Sequence, residues 1–345
     1  MKHDDYTVGW VCALSIEMAA AKGMLDEEHQ DLPVSRSDSN QYTLGRIGNH
    51  NVVIACLPDG VYGTTSAAIV AKEMLLTFQS IRIGLMVGIG GGVPHLPAYD
   101  IRLGDVVVSV PTITNGGIIQ YDLGRTVQGG RFHRVGSLNG PPQALLTAVA
   151  KLRAKHLMKS DELLKHISTM IERYPKMQDL YAYQDTQTDQ LFEASYEHRE
   201  GEPTCAECDI SRLVHRGSRL RDAPCIHYGL IASGNQVIRD ARTRDLLSAR
   251  LWDKEEGKVL CFEMEAAGLM NSFPCLVIRG ISDYTDTHKN KNWQHRAAAT
   301  AAAYAKELLC DIRGSQIAST QTVAQTLRGG ELVALTLVTL QFSQF

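Results

Sequence analysis

The sequence has no apolar run approaching the roughly 18 residues of a membrane span, and none is expected. It has no marked excess of either charge: 35 Lys and Arg stand against 38 Asp and Glu, a formal net charge of −3. A surface built as a whole to bind polyanions is thereby excluded, and no nucleic-acid partner is expected. The opening MKHDDYTVGW lacks the charged-then-apolar layout of a secretory signal. No internal repeat is visible. The 8 cysteines are scattered, and Cys12, Cys56, Cys261 and Cys275 sit in apolar runs. That usage suits reduced core residues of a cytoplasmic protein better than a disulfide framework. The glycines of Gly88-Ile89-Gly90-Gly91-Gly92 have neither the dinucleotide nor the P-loop spacing.

What is present is ordinary for a globular chain: 345 residues, 44% hydrophobic and 21% charged. Short apolar runs alternate with helical patterns, which predicts an α/β sheet with helices on its faces. Strands are expected over 6–14, over 81–93 where the strand runs into a glycine loop, and over 104–110, 229–232, 259–262 and 275–283, with a hairpin over 40–57 turning at Gly48-Asn49. Helices are expected over 16–25, over 63–78 with a cap at Thr64, Thr65 or Ser66, over 141–157, from Glu265 onward, and over 295–312. The segment 159–224 is charged and poor in apolar runs, and reads as a partly helical surface insertion. Beyond residue 312 a polar spacer leads to ELVALTLVTLQF, either a docking strand or the stump of a longer protein.

Ligands of open α/β sheets bind at the carboxyl ends of strands. Four such ends carry unusual residues: Glu17, the glycine run, Glu263-Met264-Glu265, and Arg279 with Ser282-Asp283. Each has a bland alternative: a helix-start acid, a tight turn, two more helix-start acids, a loop cap with its salt-bridge arginine. Their joint occurrence at successive strand ends favours a site. Buried carboxylates are costly unless paired, so the Glu263/Glu265 pair either caps a helix or meets a polar ligand.

These pieces, in order GWVCALSIEMAA, GVYGTTSAAIVA, LMVGIGGGV, DIRLGDVVVS, GLIASGNQVI, CFEMEAAGLM and VIRGISDYTD, resemble the nucleoside phosphorylase and nucleosidase superfamily. The likeness is to its methylthioadenosine nucleosidase branch, and to the fungal domain of this family at the head of immune-type receptor chains. It implies one domain over 1–312, a three-layer sandwich around a mixed, partly barrel-like sheet, without cofactor or bound metal, acting on a nucleoside or nucleotide. A homo-oligomer is expected on the same ground. By the resemblance Glu265 grips the ribose hydroxyls, Met264 packs on the sugar and Glu263 lies beside it. Asp283 protonates the leaving purine, with Ser282 orienting it. Val237 and Ile238 read the base edge, and Gly90 and Gly91 belong to the substrate site. Asn235 stands where the nucleosidases tend to have an acid.

Glu17 matches the glutamate that activates water, and Arg279 an arginine near it. Met86 and Ile89 stand where phosphate ligands would be, and ALSIEMAAAK has no arginine. Hydrolysis is therefore expected, with phosphorolysis and a non-catalytic nucleoside sensor as alternatives. Arg125, Arg131, His133 and Arg134 form a basic loop, either solvated or closing on a 5′-phosphate chain such as that of ATP. Cys205 and Cys208 have the spacing of half a zinc site, with Asp209 and His215 near. A loop with two free thiols is the expectation there.

Overall fold

The alternation of apolar runs is realised as a mixed α/β fold in the computed structural model, which describes residues 1–160, 162–182, 188–202, 204–219, 223–251, 257–289 and 291–327. The apolar tail segment 331–342 lies outside them. The main sheet is built from β1 (Val8–Cys12), β2 (Glu27–Glu28), β3 (Tyr42–Ile47), β4 (His50–Cys56), β5 (Ile83–Gly92), β6 (Val106–Ser109) and β7 (Ile118–Gln120). It is completed, after the separate hairpin of β8 (Gly124–Val127) and β9 (Arg131–Arg134), by β10 (Ile226–Ser233), β11 (Val259–Glu263) and β12 (Cys275–Asp283). The strand order is β11-β10-β6-β12-β5-β1-β4-β3-β2, with β7 beside β10. β11 also pairs back, antiparallel, onto the glycine end of β5 through Cys261 with Gly92 and Phe262 with Gly91. The five strands β5, β12, β6, β10 and β11 therefore close into a barrel, as expected.

Alternate residues of the central strands feed two cores, the period of 2 that a sheet buried on both faces requires. Leu85, Val87, Leu276 and Ile278 join one core, together with α1 (Ser15–Gly23), α3 (Gln143–Met158), α4 (Leu163–Arg173) and α7 (Gln294–Asp311). Met86 and Val277 join the other, under α2 (Thr64–Thr77). Helices thus cover the sheet on opposite faces. The remaining helices are α5 (Gln178–Tyr181), α6 (Ala241–Leu251) and α8 (Gly314–Ala318). No described helix is long and apolar enough to cross a membrane.

Four local expectations are corrected. The glycine run is not a loop: Gly88 to Gly92 are all strand. A Cβ at Gly90 would strike the Cys261 sulfur, and one at Gly91 would strike Thr285 and the Asp283 carboxylate. The glycines are there so that β11 and the chain after β12 can close on β5. The second correction concerns α2, whose own hydroxyls do not cap it. Asn235 does, its Oδ1 accepting from the Thr64 N–H at 3.0 Å and the Thr64 hydroxyl at 3.1 Å. Third, the chain after Glu265 makes a single 3₁₀ turn, Ala266–Gly268, rather than a helix. Fourth, the basic segment is the β8–β9 hairpin.

The insertion is not all surface. Leu163, Ile167 and Met170 of α4 are buried in the first core against α7. Its far end is anchored by buried Asp105, which accepts two hydrogen bonds from Arg219 at 2.6 Å and one from His227 at 2.9 Å. Past α7, Ile317 and Val323 are buried, and the Val323 N–H donates to the Ile81 carbonyl at 2.8 Å.

Candidate active site

The ends of β1, β5, β11 and β12 meet around a cleft of about 410 Å³. Glu17, Glu263, Met264, Glu265, Arg279, Ser282 and Asp283 all line it, as do Gly90, Gly91, Val237 and Ile238. The barrel closure explains the convergence, since it brings the carboxyl ends of distant strands to one rim. A larger hollow of about 460 Å³ lies under the insertion among Arg102, Arg216, Arg219 and Trp293. It contains none of the residues that the sequence singled out.

Glu17 opens α1 and is 3% exposed. Its Oε2 accepts the N–H groups of Ala13 at 2.7 Å and Leu14 at 3.0 Å, and its Oε1 that of Ile89 at 2.8 Å. Burial pushes its carboxyl above the ordinary range, against the pull of Arg279 and these three donors. A carboxylate has about four acceptor positions, so one remains for a ligand.

Glu263 and Glu265 prove to have different tasks. Glu263 turns back onto its own chain, accepting the N–H groups of Glu265 at 3.1 Å and Ala266 at 3.0 Å, and it pairs with Arg279. It caps the turn that holds Glu265. Glu265 is 5% exposed and lies 3.2 Å from Arg279 Nη2. Burial, opposed by Arg279 but reinforced by Glu263 and Glu17, pushes its carboxyl up to about 7. Arg279 is 1% exposed, with its second nitrogen donating to the Ile89 carbonyl at 3.3 Å. Burial opposes its charge, but three carboxylates hold it protonated. This end of the cleft therefore carries three acids around one guanidinium.

At the other end Asp283 Oδ2 accepts from the Ser282 hydroxyl at 2.9 Å, and Oδ1 from the Thr285 N–H at 2.9 Å. Lys289 Nζ lies 3.0 Å from the same Oδ2. Lys289, Lys291, Tyr62 and Phe262 also line the cleft and were not singled out in the sequence. Lys289 follows Asp283 by only a few residues, but no spacing marks it. Val237 is exposed and Ile238 buried at the mouth. Asn235 is engaged at the start of α2 and is not among the lining residues. Arg125, Arg131, His133 and Arg134 are all exposed on the hairpin and do not line the cleft either.

The model of the phosphorylase superfamily matches residues 7–312. The chain belongs to that superfamily. A nucleotide-binding leucine-rich repeat (NLR)-like protein of Hyaloscypha variabilis is 49% identical over 312 residues, which is 90% of this chain and 30% of that one. The chain thus spans less than a third of this relative's length. Among solved structures, the superfamily fold recurs in the Helicobacter pylori 5′-methylthioadenosine/S-adenosylhomocysteine nucleosidase, at TM-score 0.56 and 15% identity over 88% of this chain and 98% of that one. The Neisseria meningitidis nucleosidase of the same name, in complex with methylthio-immucillin-A, has TM-score 0.55 and 17% identity over 88% and 98%. The futalosine hydrolase of Helicobacter pylori has TM-score 0.53 and 17% identity over 89% and 99%.

Proposed function

We propose that this member of the superfamily hydrolyses the N-glycosidic bond of a purine nucleoside. The observation that carries this reading is that Glu17, Glu265 and Asp283, the three acids such a reaction needs, line one cleft. Breaking the bond builds positive charge on the ribose ring. Glu265 faces that ring, accepting from its hydroxyls and favouring the cation. Asp283, oriented by Ser282 and Thr285, delivers a proton to the departing purine. Lys289 holds Asp283 until the base takes its place. Glu17 uses its remaining acceptor position to take a proton from the attacking water. Met264 and Phe262 supply apolar walls, and the backbone at Val237 and Ile238 the edge contacts to the base.

Water is favoured over phosphate by charge. A phosphate would have to sit beside Glu17, and the nearest guanidinium, Arg279, is already held by Glu263 and Glu265. Met86 is buried in the second core and is not among the residues that line the cleft.

A nucleotide substrate is the second reading. Arg125, Arg131, His133 and Arg134 are exposed, and among the described residues none of them pairs with a carboxylate. A 5′-phosphate chain is the kind of ligand that would engage them. The likeness to an NLR-like protein fits a role as the nucleotide-processing unit of a receptor chain. Incubation with adenosine and with ATP, read as free adenine by chromatography, tests the activity. Release from neither would leave a binding-only sensor in place of an enzyme.

A further inference from the structure

The insertion carries a small knot that its apolar content does not explain. From Glu197 to Cys208 the chain reads EHREGEPTCAEC, with almost no apolar side chains. Among the described residues of this stretch, His198, Cys205 and Cys208 are the only ones not exposed. Their ligating atoms all lie within 4.8 Å of one another. The loop has a defined shape: the Cys208 N–H donates to the Cys205 carbonyl at 3.1 Å, and the Asp209 N–H donates to the Tyr196 hydroxyl at 2.9 Å. The partners that spacing suggested are otherwise engaged. Asp209 accepts from Ser211 at 2.7 and 2.9 Å, and His215 is exposed and outside the group.

We propose that His198, Cys205 and Cys208 bind a structural zinc ion. Two thiols in a C-x-x-C turn plus one imidazole are a soft donor set that selects zinc over calcium or magnesium. The thiols would each give up a proton on binding. A carbonyl already fixes the ring of His198: its Nε2 lies 3.0 Å from the Thr204 oxygen. With the proton on Nε2, Nδ1 is the ligand nitrogen, the arrangement in which an outer partner orients a metal-bound imidazole. His288 packs edge-on against His198 with ring centroids 5.4 Å apart, although its nitrogens fall outside the group of close ligating atoms. Its Nε2 is buried without a partner.

The ion would clamp the insertion over the segment that follows Asp283. The His198 N–H donates to the Thr287 hydroxyl at 2.9 Å, and His288 stacks on Phe192 and Tyr196 of the insertion. Thr287 and His288 directly precede Lys289, which contacts Asp283. A polar loop that cannot bury apolar area gains its fixed shape from the metal, as small metal-stapled motifs do.

The test uses the whole chain. Metal analysis of protein purified without chelator is expected to find about one zinc per chain. Cys205→Ser, Cys208→Ser and His198→Ala should each lose it, with circular dichroism as the check on folding. Because a variant can unfold, the chelated wild type is also titrated with cobalt. It should develop the visible bands of tetrahedral cobalt and the near-ultraviolet thiolate charge transfer. Zinc content at background in the wild type, zinc unchanged in the variants, a cobalt spectrum without thiolate charge transfer, or a disulfide joining Cys205 to Cys208 would each overturn the proposal.

Discussion

Glu263 accepts the backbone N–H of Glu265 at 3.1 Å, so one acid of the pair builds the turn that presents the other. The two flank a single methionine and both line the cleft, yet only Glu263 accepts the backbone N–H groups of the turn that follows it. Their substitutions should separate accordingly. Glu263→Ala leaves Arg279 buried with a lost partner, which typically costs about 3–5 kcal/mol. A large fall in melting temperature is expected. An unchanged melting temperature would show that Glu263 is not the structural member.

Glu265→Gln should behave in the opposite way. Its carboxyl is held near 7 in the folded protein, against about 4.3 in an unfolded chain. A raised carboxyl value means that the stability it contributes is present at low pH and is lost as pH rises through about 7. The glutamine mimics the neutral form, so the variant should hold its stability above that pH. Its catalysis should be poor, and the wild-type rate should climb as Glu265 ionises. Denaturation curves and pH–rate profiles of both proteins check this. A wild-type rate flat across the same range would remove Glu265 from the ionised role.

Asp283→Asn removes the proton donor at nearly constant volume. Loss of general acid catalysis is worth roughly 10²–10⁴-fold, and the fold should be intact by circular dichroism. Turnover of adenosine near the wild-type rate would place the donor elsewhere.

The hairpin arginines offer a test of substrate size. Arg131→Ala with Arg134→Ala should leave adenosine cleavage unchanged, since neither lines the cleft. If the substrate is a nucleotide, cleavage of ATP should fall selectively, each well-formed charged contact being worth about 1.5–3 kcal/mol. Equal rates on ATP before and after would make the hairpin a solvated surface.

Much of this was legible in the sequence because period 2 and period 3.6 survive in buried strands and packed helices. β12 and α7 fall almost where apolar runs put them. The acids at the strand ends were legible as a set. The resemblance put Glu265 on the ribose and Glu263 beside it, but that Glu263 binds its own turn was not legible, because it depends on how the backbone turns after the strand. The glycine run misled for a related reason. Local sequence shows a freedom to turn, whereas the need for it comes from β11 crossing β5, a contact between segments about 170 residues apart in the chain. Lys289 and His198 were missed although their partners are near in sequence, because the six residues from Asp283 to Lys289 and the seven from His198 to Cys205 match no usual ion-pair or ligand spacing.

The central claim is that water attacks the sugar, with Glu17 as its base. Mass spectrometry of the sugar product, from adenosine in phosphate-free buffer and in added phosphate, tests it most directly. The account predicts ribose with a free C1 hydroxyl in both, at a rate that phosphate does not raise, and almost none from Glu17→Gln. Ribose 1-phosphate, formed at a rate that follows the phosphate concentration, would contradict it and make the protein a phosphorylase.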